Sequence, residues 1–255
     1  MNLAVDLNAD LGEGAGRDAE LLGLVTSANI ACGFHAGDAD TMRQAILAAL
    51  ERDVAIGAHP SFFDRENFGR KELTMTVEEI FDAVAYQLGI FQAVAQATGA
   101  RPNHVKPHGA LYNMASRDEK IADAIARAIM SIDPSLILFA PHGSLLAHAG
   151  RSHGLVVVYE VFADRNYLGN GSLVPRTRPD ALLHDPEEAA LRVVRMLRDG
   201  VVRSVDGMDV TVRAETICVH GDTPASVEFA GTLRSHLEEE GIQITAPNSQ
   251  KGSGD

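Results

Sequence analysis

Residues 3–14 read Leu3-Ala-Val5-Asp6-Leu7-Asn8-Ala9-Asp10-Leu-Gly12-Glu13-Gly14, an alternating segment that breaks at glycine. With a period of two, Leu3, Val5, Leu7 and Ala9 share one face of a strand and Asp6, Asn8 and Asp10 the other. An apolar face can pack beneath helices; the polar face then points into an enclosed interior. The same ending recurs down the chain. Short apolar runs at 27–31, 55–58, 104–106, 136–140, 155–161 and 216–219 also finish on polar residues. These are Gly33-Phe-His35, His59-Pro60, Lys106-Pro-His108-Gly109, Pro141-His142-Gly143, Glu160 through Arg165, and His220-Gly-Asp222. Seven strands whose carboxyl ends are all polar fit a closed α/β barrel, in which the βα loops build one mouth.

The intervening segments carry helix signals. In 38–52, Met42, Ile46, Ala49 and Leu50 fall on one face. Thr76 to Glu79 forms a capping box before the stripe Ile80, Phe81, Val84, Leu88 and Phe91, and Ser116 to Glu119 has the same form. Asp185-Pro186 with Glu188 opens another helix, Thr223-Pro224 the last long one, and Gly241 marks its stop. Residues 201–214 predict a hairpin turning at Asp206-Gly207. Two long loops, 61–73 and 164–178, interrupt the alternation, and loops of that length are usually functional or mobile. With no linker or internal repeat, residues 1–248 read as a single domain and the Gly/Ser-rich 249–255 as a disordered tail.

The charge balance of 22 Lys+Arg against 35 Asp+Glu, −13 overall, argues against nucleic acid, whose phosphates need cations. Two cysteines cannot build a disulfide framework, the N-terminus lacks a signal-peptide pattern, and no apolar run is long enough to span a membrane. A cytoplasmic protein is expected.

Candidate chemistry lies at the strand ends. Asp10 and Glu13 sit beside glycines at the end of the first strand, whereas Asp6 can equally serve a network that fixes register. Gly12, Gly14 and Gly16 make a flexible mouth or an anion nest, without the spacing of a Walker or dinucleotide motif. His35, His59 and His108 end three successive strands, where imidazole can act as acid, base or ligand. Asp10, His35 and His59 can in principle hold a Zn2+-like ion, but no HExxH, CxxC or close His pair supports it, so no tightly bound metal is expected. Lys106 can bind an anionic group or neutralise Asp6 and Asp10. Glu160, Asp164 and Arg165 share one rim, where the guanidinium can grip a carboxylate. Neither a GxSxG nor a cysteine with a nearby base is present, so acid–base chemistry is favoured over a Ser or Cys nucleophile.

Taken together, DLNADLGEG (6–14), SANIACGFHAGD (27–38), GAHPSF (57–62), FGR (68–70), VKPHGALYN (105–113), EVFADRNY (160–167), LVPR (173–176) and ICVHGDTP (217–224) resemble the LamB/YcsF or lactam-utilisation family, the A-type component of 5-oxoprolinase. The blocks run in family order over 3–247. One departure is Leu168-Gly169-Asn170-Gly171, where the family usually carries acids before the glycine. The resemblance implies a single-domain, TIM-barrel-like (β/α)7 barrel of the glycoside hydrolase/deacetylase type. It implies ATP-dependent opening of 5-oxoproline (pyroglutamate) to L-glutamate, with ATP and its Mg2+ as cofactors and subunits B and C as partners; a homo-oligomer is compatible with it. In that setting Lys106 or Arg165 takes the anionic groups, and His35, His59 and His108 orient or polarise the lactam. Asp10, Glu13 or Glu160 serves as general base. Asn8, Gly12, Gly14, Asp164, Arg176, His220 and Asp222 complete the expected substrate- or phosphate-binding set. The alternatives are a metal-dependent deacetylase or amidohydrolase working without ATP, and a non-catalytic binding subunit.

Overall fold

The computed structural model describes residues 3–219 and 226–248. Its strands, in chain order, are β1 (Ala4–Leu11), β2 (Ser27–Ala31), β3 (Ala55–His59), β4 (Pro102–Val105), β5 (Ile137–Pro141), β6 (Val157–Phe162), β7 (Val201–Arg203), β8 (Asp209–Thr211), β9 (Thr216–Val219) and β10 (Gln243–Ile244). β1 to β6 pair in sequence, all parallel; β9 pairs with β6 on one side and β1 on the other. That last pairing closes a seven-stranded barrel, as the seven polar strand ends led us to expect. β10 adds a short parallel strand beside β1. β7 and β8 form the hairpin, with Gly207 at a φ of 77° in its turn.

The helices are α1 (Asp18–Leu21), α2 (Ala39–Leu50), α3 (Val77–Ala97), α4 (Gly109–Ala115), α5 (Glu119–Ile132), α6 (Leu145–Ser152), α7 (Pro186–Asp199) and α8 (Ser226–Glu239). The Thr76 capping box opens α3 and Asp185 caps α7, each as the sequence indicates. The box expected at Ser116 does not form. Ser116 closes α4, donating its hydroxyl to the Tyr112 carbonyl, and Asp118 caps α5 by accepting from the Lys120 and Ile121 amides. A carboxylate two residues on is the better acceptor for exposed amides at a helix start. The Thr223-Pro224 helix start and the 249–255 tail lie outside the described residues.

Val5, Leu7, Ala9 and Leu11 of β1 belong to the apolar layer between barrel and helices. The opposite face points inward, so the barrel is filled partly by polar side chains. Asp6 accepts from the hydroxyls of Thr26, Ser27 and Thr216. Asn29 donates to both Asn8 (2.7 Å) and Asp10 (2.9 Å), and its oxygen faces His104 Nε2 at 2.8 Å. His104 stacks on Phe139, with ring centroids 4.2 Å apart. This packing explains a glycine in β3. A Cβ at Gly57 would fall 2.2 Å from the His104 ring, which Phe139 prevents from retreating. Gly57→Ala is expected to destabilise the fold by about 1–3 kcal/mol, the usual range for overfilling a packed interior, measurable by urea unfolding.

Candidate functional site

The carboxyl ends of β1, β2, β3, β4 and β6 and the loops after them bring seven titratable side chains together. They form two groups that meet at Asp10.

In the deeper group Lys106 Nζ lies 3.0 Å from Asp10 Oδ1, 2.9 Å from Glu160 Oε1, 3.2 Å from Asn8 Oδ1 and 2.9 Å from Cys218 Sγ. Burial opposes its charge, but Asp10 and Glu160 outweigh that and hold the ammonium well above its ordinary pKa. The Cys218 thiol is pushed well up by burial and is neutral beside it. Glu160 also accepts from Asn8 Nδ2 at 3.0 Å and from the Tyr112 hydroxyl at 2.6 Å. Burial holds Tyr112 protonated, so the phenol is a fixed donor. All the ammonium hydrogens are therefore committed within the barrel. Lys106 neutralises Asp10 and Glu160 rather than Asp6, which is served by hydroxyls.

The outer group is Glu13, His35, His59 and His108, whose ligating atoms all lie within 4.8 Å of one another. Glu13 Oε1 is 3.0 Å from His35 Nε2, 3.4 Å from His108 Nδ1 and 3.9 Å from His59 Nε2; Asp10 Oδ2 is 3.4 Å from His59 Nε2. Backbone carbonyls fix two of the rings. His59 Nδ1 is 2.6 Å from the Lys106 carbonyl and His108 Nε2 is 3.0 Å from the Phe68 carbonyl. A carbonyl can only accept, so those two nitrogens carry the hydrogens. His35 and His108 stack face to face with centroids 4.0 Å apart. Burial lowers both, His35 to about 2 and His108 well below the ordinary imidazole range.

The 61–73 loop covers this group. Phe68 adopts a φ of 56° and packs edge-on to both His35 and His108. A Cβ at Gly69 would lie 2.2 Å from Ser61 Oγ and 2.9 Å from His35 Cβ. Only glycine allows the loop so close.

Beyond the two groups opens a cavity of about 970 Å3, lined among others by Asp10, His59, His108, Glu160, Arg165 and Arg176. Arg165 is buried and donates to the Val174 carbonyl at 2.7 Å, with no partner at Nε. Burial, and then the nearby Arg176, lower its pKa to about 10, with Asp164 opposing. Arg70, in the same cavity wall, lies over the Phe68 ring.

Of the residues singled out from sequence, Asp10, Glu13, His35, His59, Lys106, His108 and Glu160 thus converge, and Arg165 and Arg176 share the adjoining cavity. Asn8 is buried below it, its amide spent on Glu160, Thr216, Asn29 and Lys106. Gly12 gives its amide to Asp18 Oδ2 at 2.8 Å, so a carboxylate of the chain already occupies that turn, and Gly14 is exposed away from the cavity. Asp164 neighbours Arg165. His220 and Asp222 lie outside the described residues. Sequence reasoning did not single out Tyr112, Asn29, His104 or the Phe68–Gly69 step. Tyr112 and Asn29 stand in the family-like segments 105–113 and 27–38, and Phe68-Gly69 in the FGR of 68–70.

Residues 5–252 match the model of the LamB/YcsF family. The chain belongs to that family. The lactam utilization protein of Thermus thermophilus is 44% identical, covering 96% of this chain and 100% of that one with a TM-score of 0.89. More distant solved structures share the barrel. T48 deacetylase (15% identity, 100% of this chain and 93% of that chain, TM-score 0.54) and the peptidoglycan deacetylase PdaC of Bacillus subtilis (14%, 96% and 87%, 0.51) are examples, and at that identity they speak to fold alone. Among the described residues of this LamB/YcsF member, no helix is long and apolar enough to cross a membrane.

Proposed function

We propose that this chain is the catalytic subunit of an ATP-dependent 5-oxoprolinase, opening 5-oxoproline to L-glutamate as ATP becomes ADP and phosphate, in a complex with subunits B and C. The observation that carries the reading is the placement of Asp10, His59 and His108, with Glu13 against them, at one end of a cavity whose wall holds Arg165 and Arg176. Family membership and the lactam utilization protein of Thermus support the substrate class.

A five-membered lactam resists water because amide resonance must be broken. Transfer of the γ-phosphoryl group to the amide oxygen makes the ring carbon electrophilic. Water then adds there, the C–N bond breaks as the nitrogen takes a proton, and a second water releases phosphate. The chain must therefore hold an anionic substrate, accept a proton from water and deliver one to nitrogen. Arg165 and Arg176 suit the carboxylate and phosphates, since Lys106 is committed inside the barrel. Asp10 or Glu13 suits the base, since both Glu160 oxygens are hydrogen-bonded in the interior. The cavity is also far larger than one lactam, leaving room for part of a nucleotide.

The test is to combine the chain with 5-oxoproline and ATP, with and without subunits B and C, and assay glutamate and ADP. Glutamate and ADP should form in equal amounts in the full complex, and no glutamate would overturn the reading. Arg176→Ala should raise KM for 5-oxoproline roughly 10- to 100-fold, as expected for one lost charge-assisted contact. The imidazole–carboxylate group favours one second reading, amide hydrolysis without ATP, and turnover undiminished in an ATP-free arm would establish it.

A further inference from the structure

The two backbone-fixed imidazoles present an unusual contact. With hydrogens on His59 Nδ1 and His108 Nε2, each neutral ring directs a bare lone pair from its other nitrogen, and these nitrogens face each other at 2.9 Å. Two lone pairs at hydrogen-bond distance repel unless something positive lies between or beside them. Glu13 Oε1 and Asp10 Oδ2, which also only accept when ionised, point at the same place. His35 Nε2 lies 3.0 Å from Glu13 and its Nδ1 has no partner, so this ring gives its proton to the carboxylate. Lying parallel to His108 with centroids 4.0 Å apart, it does not aim at the same point. Around the His59–His108 contact, the two rings and the two carboxylates offer electron pairs rather than protons.

We infer that Asp10, Glu13, His59 and His108, with His35 hydrogen-bonded to Glu13, form a binding site for one divalent first-row transition ion of the Zn2+ class. Bond lengths of about 2.0–2.1 Å in a tetrahedral site place ligand atoms about 3.4 Å apart. Four of the separations among them, 2.9, 3.4, 3.4 and 3.9 Å, bracket that value. Two imidazoles and two carboxylates select such an ion over Mg2+ or Ca2+, which prefer all-oxygen shells. The outer support of a metal site is present as well, because the Lys106 and Phe68 carbonyls orient the two rings through their other nitrogens. Phe68 reaches its position only through a left-handed backbone conformation followed by Gly69. The sequence hinted at Asp10, His35 and His59 alone. Folding adds Glu13 and His108, turns His35 into a hydrogen-bonding support for Glu13, and makes His59 and His108 the close pair that linear spacing lacks.

The site concerns the chain itself and does not depend on the lactam reading, so its test uses neither substrate nor ATP. Protein stripped with chelator is titrated with Zn2+, Mn2+ and Co2+ by calorimetry, and metal content after gel filtration is measured by elemental analysis. The wild type should take up one ion per chain and melt at a higher temperature with it. Glu13→Gln and His59→Asn should each lose about 100-fold or more in affinity. His153→Ala, on the outer surface beside Asp123, should bind as the wild type does. The inference is overturned if the stripped wild type takes up no ion, which would leave a shared proton to resolve the His59–His108 contact. It is equally overturned if both cluster variants bind as tightly as the wild type. Should His59→Asn fail to fold, Glu13→Gln and the wild-type melting shift decide.

Discussion

Lys106→Met is expected to cost about 3–5 kcal/mol of stability at neutral pH, the range for removing one partner of a buried ion pair. The methionine fills most of the aliphatic volume, so the loss is chiefly electrostatic. It leaves Asp10 and Glu160 facing each other across the position of an ammonium that lies 3.0 and 2.9 Å from them. The remaining donors do not replace it: Asn29 serves Asp10, and Asn8 and Tyr112 serve Glu160, already in the wild type. Two features separate this from ordinary core damage. A proton on the carboxylate pair can substitute for the missing ammonium, so the deficit should shrink as pH falls. Adding Glu160→Gln should recover part of the loss, because one stranded charge is then gone, with a coupling of about 0.5–3 kcal/mol in a double-mutant cycle. Urea unfolding of the four proteins at two pH values measures both. A deficit independent of pH and additive with Glu160→Gln would show that Lys106 matters for its shape alone.

The barrel was legible because its defining features are local and periodic. In β1 the alternation of apolar and polar residues assigned each side chain to the correct face, and the strand ends located the mouth. What was not legible came from pairings across the interior. His104 stands in a short strand and announces nothing until Asn29, Phe139 and the absent Cβ of Gly57 are seen around it. Ser116 matched the capping template, but the template cannot weigh a nearby Asp118 that does the work better. For Lys106 the sequence offered two roles, and only the distances to Asp10 and Glu160 select charge balance. The tautomers of His59 and His108 are set by carbonyls 47 and 40 residues away in the chain, beyond any reading of spacing. β10 is two residues long, too short for any pattern to declare itself.

Asp6→Asn is expected to stabilise the protein above pH 6, a reversal of the usual cost of altering a buried polar residue. Burial raises the Asp6 carboxyl from 3.8 to about 6, the hydroxyls of Thr216, Thr26 and Ser27 only partly offsetting it, and Glu160 adds repulsion. A carboxyl whose folded-state pKa is raised holds its proton more tightly when folded. Its favourable contribution is therefore full below the unfolded value near 3.8 and lost as pH rises through 6. A shift of that size corresponds to about 3 kcal/mol at pH 7 to 8. Asparagine remains neutral throughout and can still accept from Thr26 and Ser27 at Oδ1. Its amide cannot accept the Thr216 hydroxyl, which takes back about 1 kcal/mol. The net gain should be about 2 kcal/mol at pH 8, falling to zero or reversing below pH 4. The buried His35 and His104, lowered to about 2 and about 3, work in the opposite direction. They favour the fold above pH 6.5 and lose that contribution as pH falls below it, but they are present in both proteins and cancel in the difference. Paired unfolding curves from pH 4 to 8 provide the measurement. A constant difference across that range would mean that the Asp6 carboxyl is not the group whose charge opposes burial.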